Sequence, residues 1–259
     1  MEVVVVATPQ DTGRVVADAV EQVVSAGARV LGLATGSSPI AAYRELARRH
    51  REQGLSLAGL DAVLLDEYVG LPREHPQSYA RTIRTELVDH VDLDPARVHG
   101  PDGAAADVLA EARRYDEVVR DLGPVDLQLL GIGANGHLGF NEPGSSLASR
   151  TRVKTLAAGT RRDNARFFAD GEQVPLHVIT QGLGTIRDAR HLVLTASGEH
   201  KAAAVAAAVE GPVTASCPAS VLQLHPHVTV VVDEAAAGSL GMLEHYRDVL
   251  RHKPAQQGY

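Results

Sequence analysis

Six short runs rich in β-branched and aliphatic residues, separated by stretches of helical periodicity, constrain this chain more than any other feature. They are Val3 to Ala7, Arg29 to Leu33, Ala62 to Leu65, Val125 to Leu130, His191 to Thr195 and Val228 to Val232. Runs apolar on both faces fit strands of a sheet that helices cover on both sides, where parallel pairing is the rule. The intervening segments supply those helices. Val15, Val16, Ala19, Val20, Val23 and Val24 line one helical stripe, Ile40, Tyr43, Leu46 and Ala47 a second, and Val108, Ala112, Tyr115 and Val119 a third. The alternation predicts an α/β fold with a mostly parallel sheet. Turn-forming glycine and proline cluster at the strand exits, in Thr35-Gly36-Ser37-Ser38-Pro39, Gly70-Leu71-Pro72, Gly131-Ile132-Gly133 and Pro143-Gly144. In an open α/β sheet that carboxyl edge is where ligands bind.

Nothing in the 259 residues reads as a linker, a repeat or a low-complexity tract, and a hydrophobic content of 44% supports a large core. A single domain over residues 1–259 is expected, with His252 to Tyr259 its least ordered part or part of an interface. Met1-Glu2-Val3-Val4-Val5-Val6 lacks the basic region and cleavage site of an export signal, and no apolar run approaches the ~18 residues that span a bilayer. The one cysteine, Cys217, cannot form an internal disulfide, and no Cys/His grouping has zinc-site spacing. These features predict a soluble cytoplasmic protein with no metal and no membrane partner. A net charge of −7 argues against a nucleic-acid surface, so an anionic ligand would need a locally positive pocket.

Three segments carry residues suited to chemistry. In Leu33-Ala34-Thr35-Gly36-Ser37-Ser38-Pro39 an apolar strand runs into a small polar loop and then a helix. Backbone N–H groups at that helix start and two hydroxyls suit a phosphate, although a plain Ser-capped turn has the same composition. The loop lacks the lysine of a Walker motif and is not a complete dinucleotide fingerprint. Leu64-Leu65-Asp66-Glu67-Tyr68 puts adjacent carboxylates just past a strand. Side chains alternate there, so one of the two faces a shared pocket, and Asp66 is the candidate base. A solvated acidic loop or a helix cap is the competing reading.

The third segment, Gly131-Ile132-Gly133-Ala134-Asn135-Gly136-His137-Leu138-Gly139-Phe140-Asn141-Glu142-Pro143, surrounds a histidine with glycines and follows it with a carboxylate. Glycine lets main chain approach a ligand closely. Glu142 holding His137 predicts a fixed tautomer and raised basicity, suited to proton transfer near neutral pH. Two cations complete the set, Arg166 and Lys201; each is a surface charge by default, but Lys201 follows a strand through a glycine turn to a helix start. His225-Pro226-His227 has same-face spacing for a metal but no evident third ligand, and reads as structural.

Together these motifs resemble those of glucosamine-6-phosphate deaminases over nearly the whole chain. The matching segments, in order, are Leu33 to Pro39, Leu65-Asp66-Glu67-Tyr68-Val69-Gly70-Leu71-Pro72, Gly131 to Pro143, Ser146-Leu147-Ala148-Ser149-Arg150-Thr151-Arg152, Asn164 to Phe168, and Leu222-Gln223-Leu224-His225-Pro226. The resemblance implies a Rossmann-like three-layer domain of the type shared with ribose-phosphate isomerases and 6-phosphogluconolactonases. It implies conversion of glucosamine 6-phosphate and water to fructose 6-phosphate and ammonia, with no cofactor. It assigns Gly36, Ser37, Ser38, Arg166 and Lys201 to the sugar phosphate, with Arg166 on a mobile lid. His137, backed by Glu142 and Asn135, opens the pyranose ring, and Asp66 moves a proton from C2 to C1.

One departure concerns Asn135, where some members have aspartate and so give their histidine two carboxylate partners; asparagine supplies hydrogen bonds but no charge. Hexameric members bind N-acetylglucosamine 6-phosphate as an activator at a subunit interface. Ser145, Ser146, Arg150, Arg152 and Lys154 resemble part of that site, so a homo-oligomer, with a hexamer favoured, is expected. Arg152 and Lys154 alternate along an extended segment and so share a face, for one phosphate or simply for solvent. Two alternatives remain. A 6-phosphogluconolactonase typically has Thr-Ala-Ser after the histidine, where this chain has Leu138-Gly139-Phe140-Asn141-Glu142. A sugar-phosphate sensor should carry a DNA-binding helix-turn-helix or basic arm, which this sequence lacks.

Overall fold

The structure is a computed structural model that describes residues 1–254 and 257–259. Its strands are β1 (Glu2–Val6), β2 (Val30–Leu33), β3 (Asp61–Leu64), β4 (Asp66–Tyr68), β5 (Val98–His99), β6 (Leu127–Leu130), β7 (Arg152–Thr155), β8 (His177–Thr180), β9 (Leu192–Ala196) and β10 (Val228–Asp233). The helices are α1 (Pro9–Ser25), α2 (Ile40–Gln53), α3 (Tyr79–Glu86), α4 (Val108–Leu122), α5 (Ala158–Ala165), α6 (Leu183–Arg187), α7 (Ala202–Val209), α8 (Glu234–Ala237) and α9 (Leu243–Arg251).

Seven strands form one parallel sheet in the order β1-β10-β9-β6-β2-β3-β5. All six runs read from the sequence are in it; the seventh strand, β5, is only two residues long. Every residue of β2, β6, β9 and β10 is buried, as a sheet covered on both faces requires. A second, antiparallel sheet, β4-β8-β7, stands apart from the first. Its strands lack a long apolar run: β7 reads Arg-Val-Lys-Thr and β4 Asp-Glu-Tyr.

The strand order fixes where a ligand can sit. From β2 the chain builds outward through β3 to β5; from β6 it builds the other way through β9 and β10. Between β2 and β6 the winding therefore reverses, and at such a switch point the loops leaving the two strands diverge and open a crevice at the carboxyl edge. Those two loops are the segments holding Gly36-Ser37-Ser38 and Gly131 to Pro143. The starts of both strands are tied together by Asp126, whose Oδ2 accepts from the backbone N–H of Arg29 at 2.7 Å and Val30 at 3.0 Å.

The helices behave as their periodicity predicts. Thr8 and Asp11 cap α1 reciprocally, and Val16, Ala17, Ala19 and Val20 bury its inner face. α1 lies so close to α2 that a Cβ on Gly13 would stand 2.5 Å from the carbonyl carbon of Ala41. In the described part of the tail, Lys253 pairs with Glu2 at 2.7 Å and the Tyr259 N–H donates to Gln22 Oε1 at 3.1 Å. These residues are thus tied to the first strand and helix, while 255 and 256, within the segment expected to be least ordered, lie outside the described residues.

Helix propensity alone says that Gly13→Ala stabilises by about 1 kcal/mol. The contact with Ala41 reverses the sign, and chemical denaturation should show a net loss of about 1–2 kcal/mol, as overpacking a tight helix pair does.

Candidate active site

Four adjacent strands, β3, β2, β6 and β9, deliver their exits to one cavity of about 520 Å³. Asp66 comes from the end of β3, Gly36, Ser37 and Ser38 from β2, His137 from β6 and Lys201 from the turn after β9; α5 and the residues after it add Thr160, Asp163 and Arg166. The volume suits a phosphorylated sugar. All seven residues expected to touch substrate line it, with Asn135 and Glu142 behind His137.

Asp66 is the first residue of β4, one residue after the chain leaves the main sheet. It is 4% exposed, and its carboxylate accepts no hydrogen bond from the described residues. Gly139, two residues beyond His137, lies against it: at φ +54°, a Cβ there would sit 3.0 Å from Asp66 Oδ2. Burial, with the neighbouring charge of Glu67, raises the Asp66 pKa well above the usual carboxylate range. Glu67 turns the other way, as alternation requires, and accepts from the N–H groups of Tyr68 at 2.9 Å and of Tyr79 and Ala80 at 3.0 Å. It anchors the start of α3. Of the adjacent carboxylates, then, one is satisfied by backbone and one is free to act as a base.

His137 is held by a relay rather than directly by Glu142. Glu142 Oε2 accepts from Asn135 Nδ2 at 2.7 Å, and Asn135 Oδ1 meets His137 Nδ1 at 2.7 Å, while the direct Glu142 to His137 separation is 3.8 Å. Only the asparagine NH2 can face a carboxylate, so its carbonyl faces the ring. A carbonyl only accepts, so Nδ1 carries the proton and Nε2 keeps its lone pair. The sequence predicts a tautomer held by Glu142 directly; here Asn135 makes that contact. Nor is the basicity raised: burial of the ring lowers the His137 pKa, Glu142 pulls it up by less, and Lys201 lowers it further. The residue is a neutral imidazole poised to accept at Nε2.

The same cavity holds two cations, Lys201 and Arg166, with Asp163 beside them. Burial lowers the Lys201 pKa, and the nearby Arg166 charge lowers it further. Such a crowded pair gains from an anion placed between its members. Gly36 has a φ of +91°, and Tyr43 Oη bonds both the N–H and the carbonyl of Ala34 at 3.1 and 2.6 Å, which pins the loop where it leaves β2. Pro39 is the N-cap of α2 and no side chain caps the helix, so the alternative of a Ser-capped turn does not hold.

The expected activator residues divide. Arg150 is engaged with Asp188 at 2.5 Å and Asp116 at 3.5 Å. Ser145 is buried and Ser146 exposed. Arg152 and Lys154 lie two apart on β7, on one face, and neither forms an ion pair among the described residues. Sequence reasoning missed Thr160, Asp163 and Tyr79 in the cavity. Thr160 is the one buried residue of a helix that is otherwise exposed or half-buried, and a single threonine leaves no periodic signal.

A buried carboxylate and a neutral imidazole sharing a cavity with two cations, at the switch point of a parallel sheet, mark an α/β protein whose site has the groups for acid–base chemistry on an anionic small molecule. Residues 7–231 match the model of the glucosamine-6-phosphate isomerases/6-phosphogluconolactonase family, and the chain belongs to that family. It is 60% identical over 259 residues to a glucosamine-6-phosphate deaminase of Rhodococcus opacus, covering 100% of both chains. It is 55% identical to that of Streptomyces coelicolor, again over 100% of both. Among solved structures it resembles a monomeric glucosamine-6-phosphate deaminase, with 42% identity and a TM-score of 0.89 over 92% of this chain and 100% of that one. A 6-phosphogluconolactonase from Trypanosoma cruzi, 20% identical with a TM-score of 0.75 over 93% and 97% of the two chains, shares the fold.

Two outcomes follow from the electrostatics. At pH values below the usual carboxylate range Asp66 is protonated in both folded and unfolded chains and its burial is harmless; as pH rises through that range the unfolded chain ionises first and stability falls. Asp66→Asn should therefore raise the melting temperature at pH 7, with the gain vanishing toward pH 3. Asn135→Asp places a second carboxylate beside Nδ1 and should move the His137 titration, followed by NMR, to higher pH.

Proposed function

We propose that this protein is a glucosamine-6-phosphate deaminase, acting as one domain in the cytoplasm and using protein groups alone to produce fructose 6-phosphate and ammonia. The observation that carries the reading is that Asp66 and His137 Nε2, neither with a hydrogen-bond partner among the described residues, share one cavity with the Arg166 and Lys201 charges. Full-length identities of 55–60% to deaminases support the same reaction. Among the described residues no helix is long and apolar enough to cross a membrane.

The steps follow from those positions. Arg166, Lys201 and the Gly36-Ser37-Ser38 loop hold the phosphate, and this binding, remote from the reacting carbons, places C1 and C2 beside the acid–base groups. His137 Nε2 accepts the proton of the C1 hydroxyl and returns one to the ring oxygen as the C1–O5 bond breaks, leaving the open-chain aldehyde. The C2 proton next to that carbonyl is acidified. Asp66 removes it as the electron pair passes into the C1 carbonyl, O1 takes a proton from the substrate's own ammonium group to give a neutral enolamine, and Asp66 then returns its proton to C1 as the nitrogen lone pair forms the C2–N double bond. The result is an imine at C2. Water adds there, the C2–N bond breaks, and ammonia leaves behind the ketone. A base whose pKa burial has raised is stronger than an ordinary carboxylate and suited to that abstraction.

We further propose that Arg152 and Lys154 bind the phosphate of N-acetylglucosamine 6-phosphate as an activator within a homo-oligomer, a hexamer by family expectation. The similar solved deaminase is a monomer, so assembly is tested separately, by light scattering. Saturating activator should lower the half-saturating substrate concentration; an unmoved curve in a hexameric sample contradicts the activator site.

The defining assay follows fructose 6-phosphate and ammonia together from glucosamine 6-phosphate. Equal yields are expected; hydrolysis of 6-phosphogluconolactone instead would replace the reading with a lactonase. Asp66→Asn should cut kcat by at least ~10²-fold, the scale of a positioned acid–base group, while leaving KM close to wild type.

A further inference from the structure

Glu142 is held from two sides. Its Oε2 accepts from Asn135 Nδ2 at 2.7 Å, on the side of the relay to His137. Its Oε1 accepts from the hydroxyl of Thr160, which arrives from α5 and is 8% exposed. The other residues of α5 are half-buried or exposed, so Thr160 is its point of insertion. The terminal torsion of a glutamate is broad, and a carboxylate with one donor can swing; a second donor on the other oxygen fixes its plane. If the carboxylate turns, Asn135 loses the acceptor that demands its NH2, and its orientation then rests only on the His137 backbone N–H, which donates to Oδ1 at 3.2 Å, so a flip becomes accessible. A flipped amide presents N–H to Nδ1, which must then lose its proton and leave Nε2 protonated. An imidazole in that tautomer cannot accept a proton from a C1 hydroxyl.

We propose that Thr160 is a positioning residue for the His137 relay: its hydroxyl locks Glu142, which orients Asn135, which holds the proton on Nδ1 and keeps Nε2 open to the substrate. The proposal rests on the reading of His137 as the ring-opening group, though the tautomer it predicts exists whether or not the reaction is as assigned. Arg166 lies just beyond the end of α5, so a phosphate bound by Arg166 also steadies the segment that completes the relay. The charges facing the imidazole are Glu142 from its own loop, Asp163 from α5 and Lys201 from the turn after β9. Of these, Glu142, 3.8 Å from Nδ1, also favours a proton there, and Thr160 holds that carboxylate in place.

The test compares wild type, Thr160→Val, which removes the hydroxyl at nearly constant shape, and Thr160→Ser, which restores it. In 15N-histidine-labelled protein, with His137 assigned by loss of its signals in His137→Gln, wild type and Thr160→Ser should show the Nδ1–H tautomer alone. Thr160→Val should add the Nε2–H form. In turnover, Thr160→Val should lower kcat roughly 10- to 100-fold, part of the ~10²–10⁴ that a positioned acid–base group supplies, with rescue by Thr160→Ser. Its affinity for 2-amino-2-deoxyglucitol 6-phosphate, an open-chain analogue that needs no ring opening, should stay within about threefold of wild type, because the phosphate contacts that dominate binding are retained. An unchanged tautomer in folded Thr160→Val overturns the proposal. So does a loss confined to analogue affinity, which would make Thr160 only an anchor for α5. Wild type inactive on glucosamine 6-phosphate but with the expected tautomer change in Thr160→Val would refute the assigned reaction and leave the positioning role standing.

Discussion

A carboxylate that is 4% exposed and accepts no hydrogen bond from the described residues is held against its own solvation, and the architecture around Asp66 exists to hold it so. The chain immediately before it is clamped. The carbonyl of Leu64 accepts from Tyr115 Oη at 2.6 Å and from Gln181 Nε2 at 2.9 Å, and the Leu65 carbonyl accepts from the Gln181 N–H at 2.8 Å. These bonds stop β3 and redirect the chain into β4, which brings one carboxylate to the cavity and sends the next, Glu67, to the start of α3. Its raised pKa follows from where the fold places it, at the floor of the cavity and next to Glu67.

The same geometry resolves the electrostatics of a chain with net charge −7. Within it, Lys201 and Arg166 bring positive charge to the cavity that also holds Gly36, Ser37 and Ser38, a local potential opposite in sign to that of the protein as a whole. Strand order makes this arrangement possible. The β2 exit brings Gly36, Ser37 and Ser38 to the cavity, and its neighbours β3 and β6 bring Asp66 and His137, so the three groups fall on adjacent strand ends. A relay through a neutral Asn135 gives His137 a defined tautomer without the full pull of a second carboxylate, and burial then keeps the ring neutral.

Much of this was legible in the sequence because it depended on period and on strand ends. The six buried strands, the α1, α2 and α4 stripes and the three loops with Asp66, His137 and the Gly36 turn all follow from apolar runs that stop at glycine. What escaped did so for physical reasons. β5 has two residues, and β4 and β7 carry charged or polar side chains, so the antiparallel sheet has no alternation to read. The net effect on His137 depended on burial and on Lys201, residues apart in sequence but joined by the order of β6 and β9. Thr160 matters through a single contact with a residue 18 positions earlier, which no local pattern encodes.

The account turns on Asp66 carrying a proton from C2, and the most direct measurement follows that proton. Glucosamine 6-phosphate deuterated at C2, incubated with wild type and with Asp66→Asn and examined by NMR, should lose its label with wild type in step with ammonia release and keep it with the variant. Loss of the C2 label by Asp66→Asn at the wild-type rate, or ammonia release by wild type with deuterium still on C2, would contradict the account.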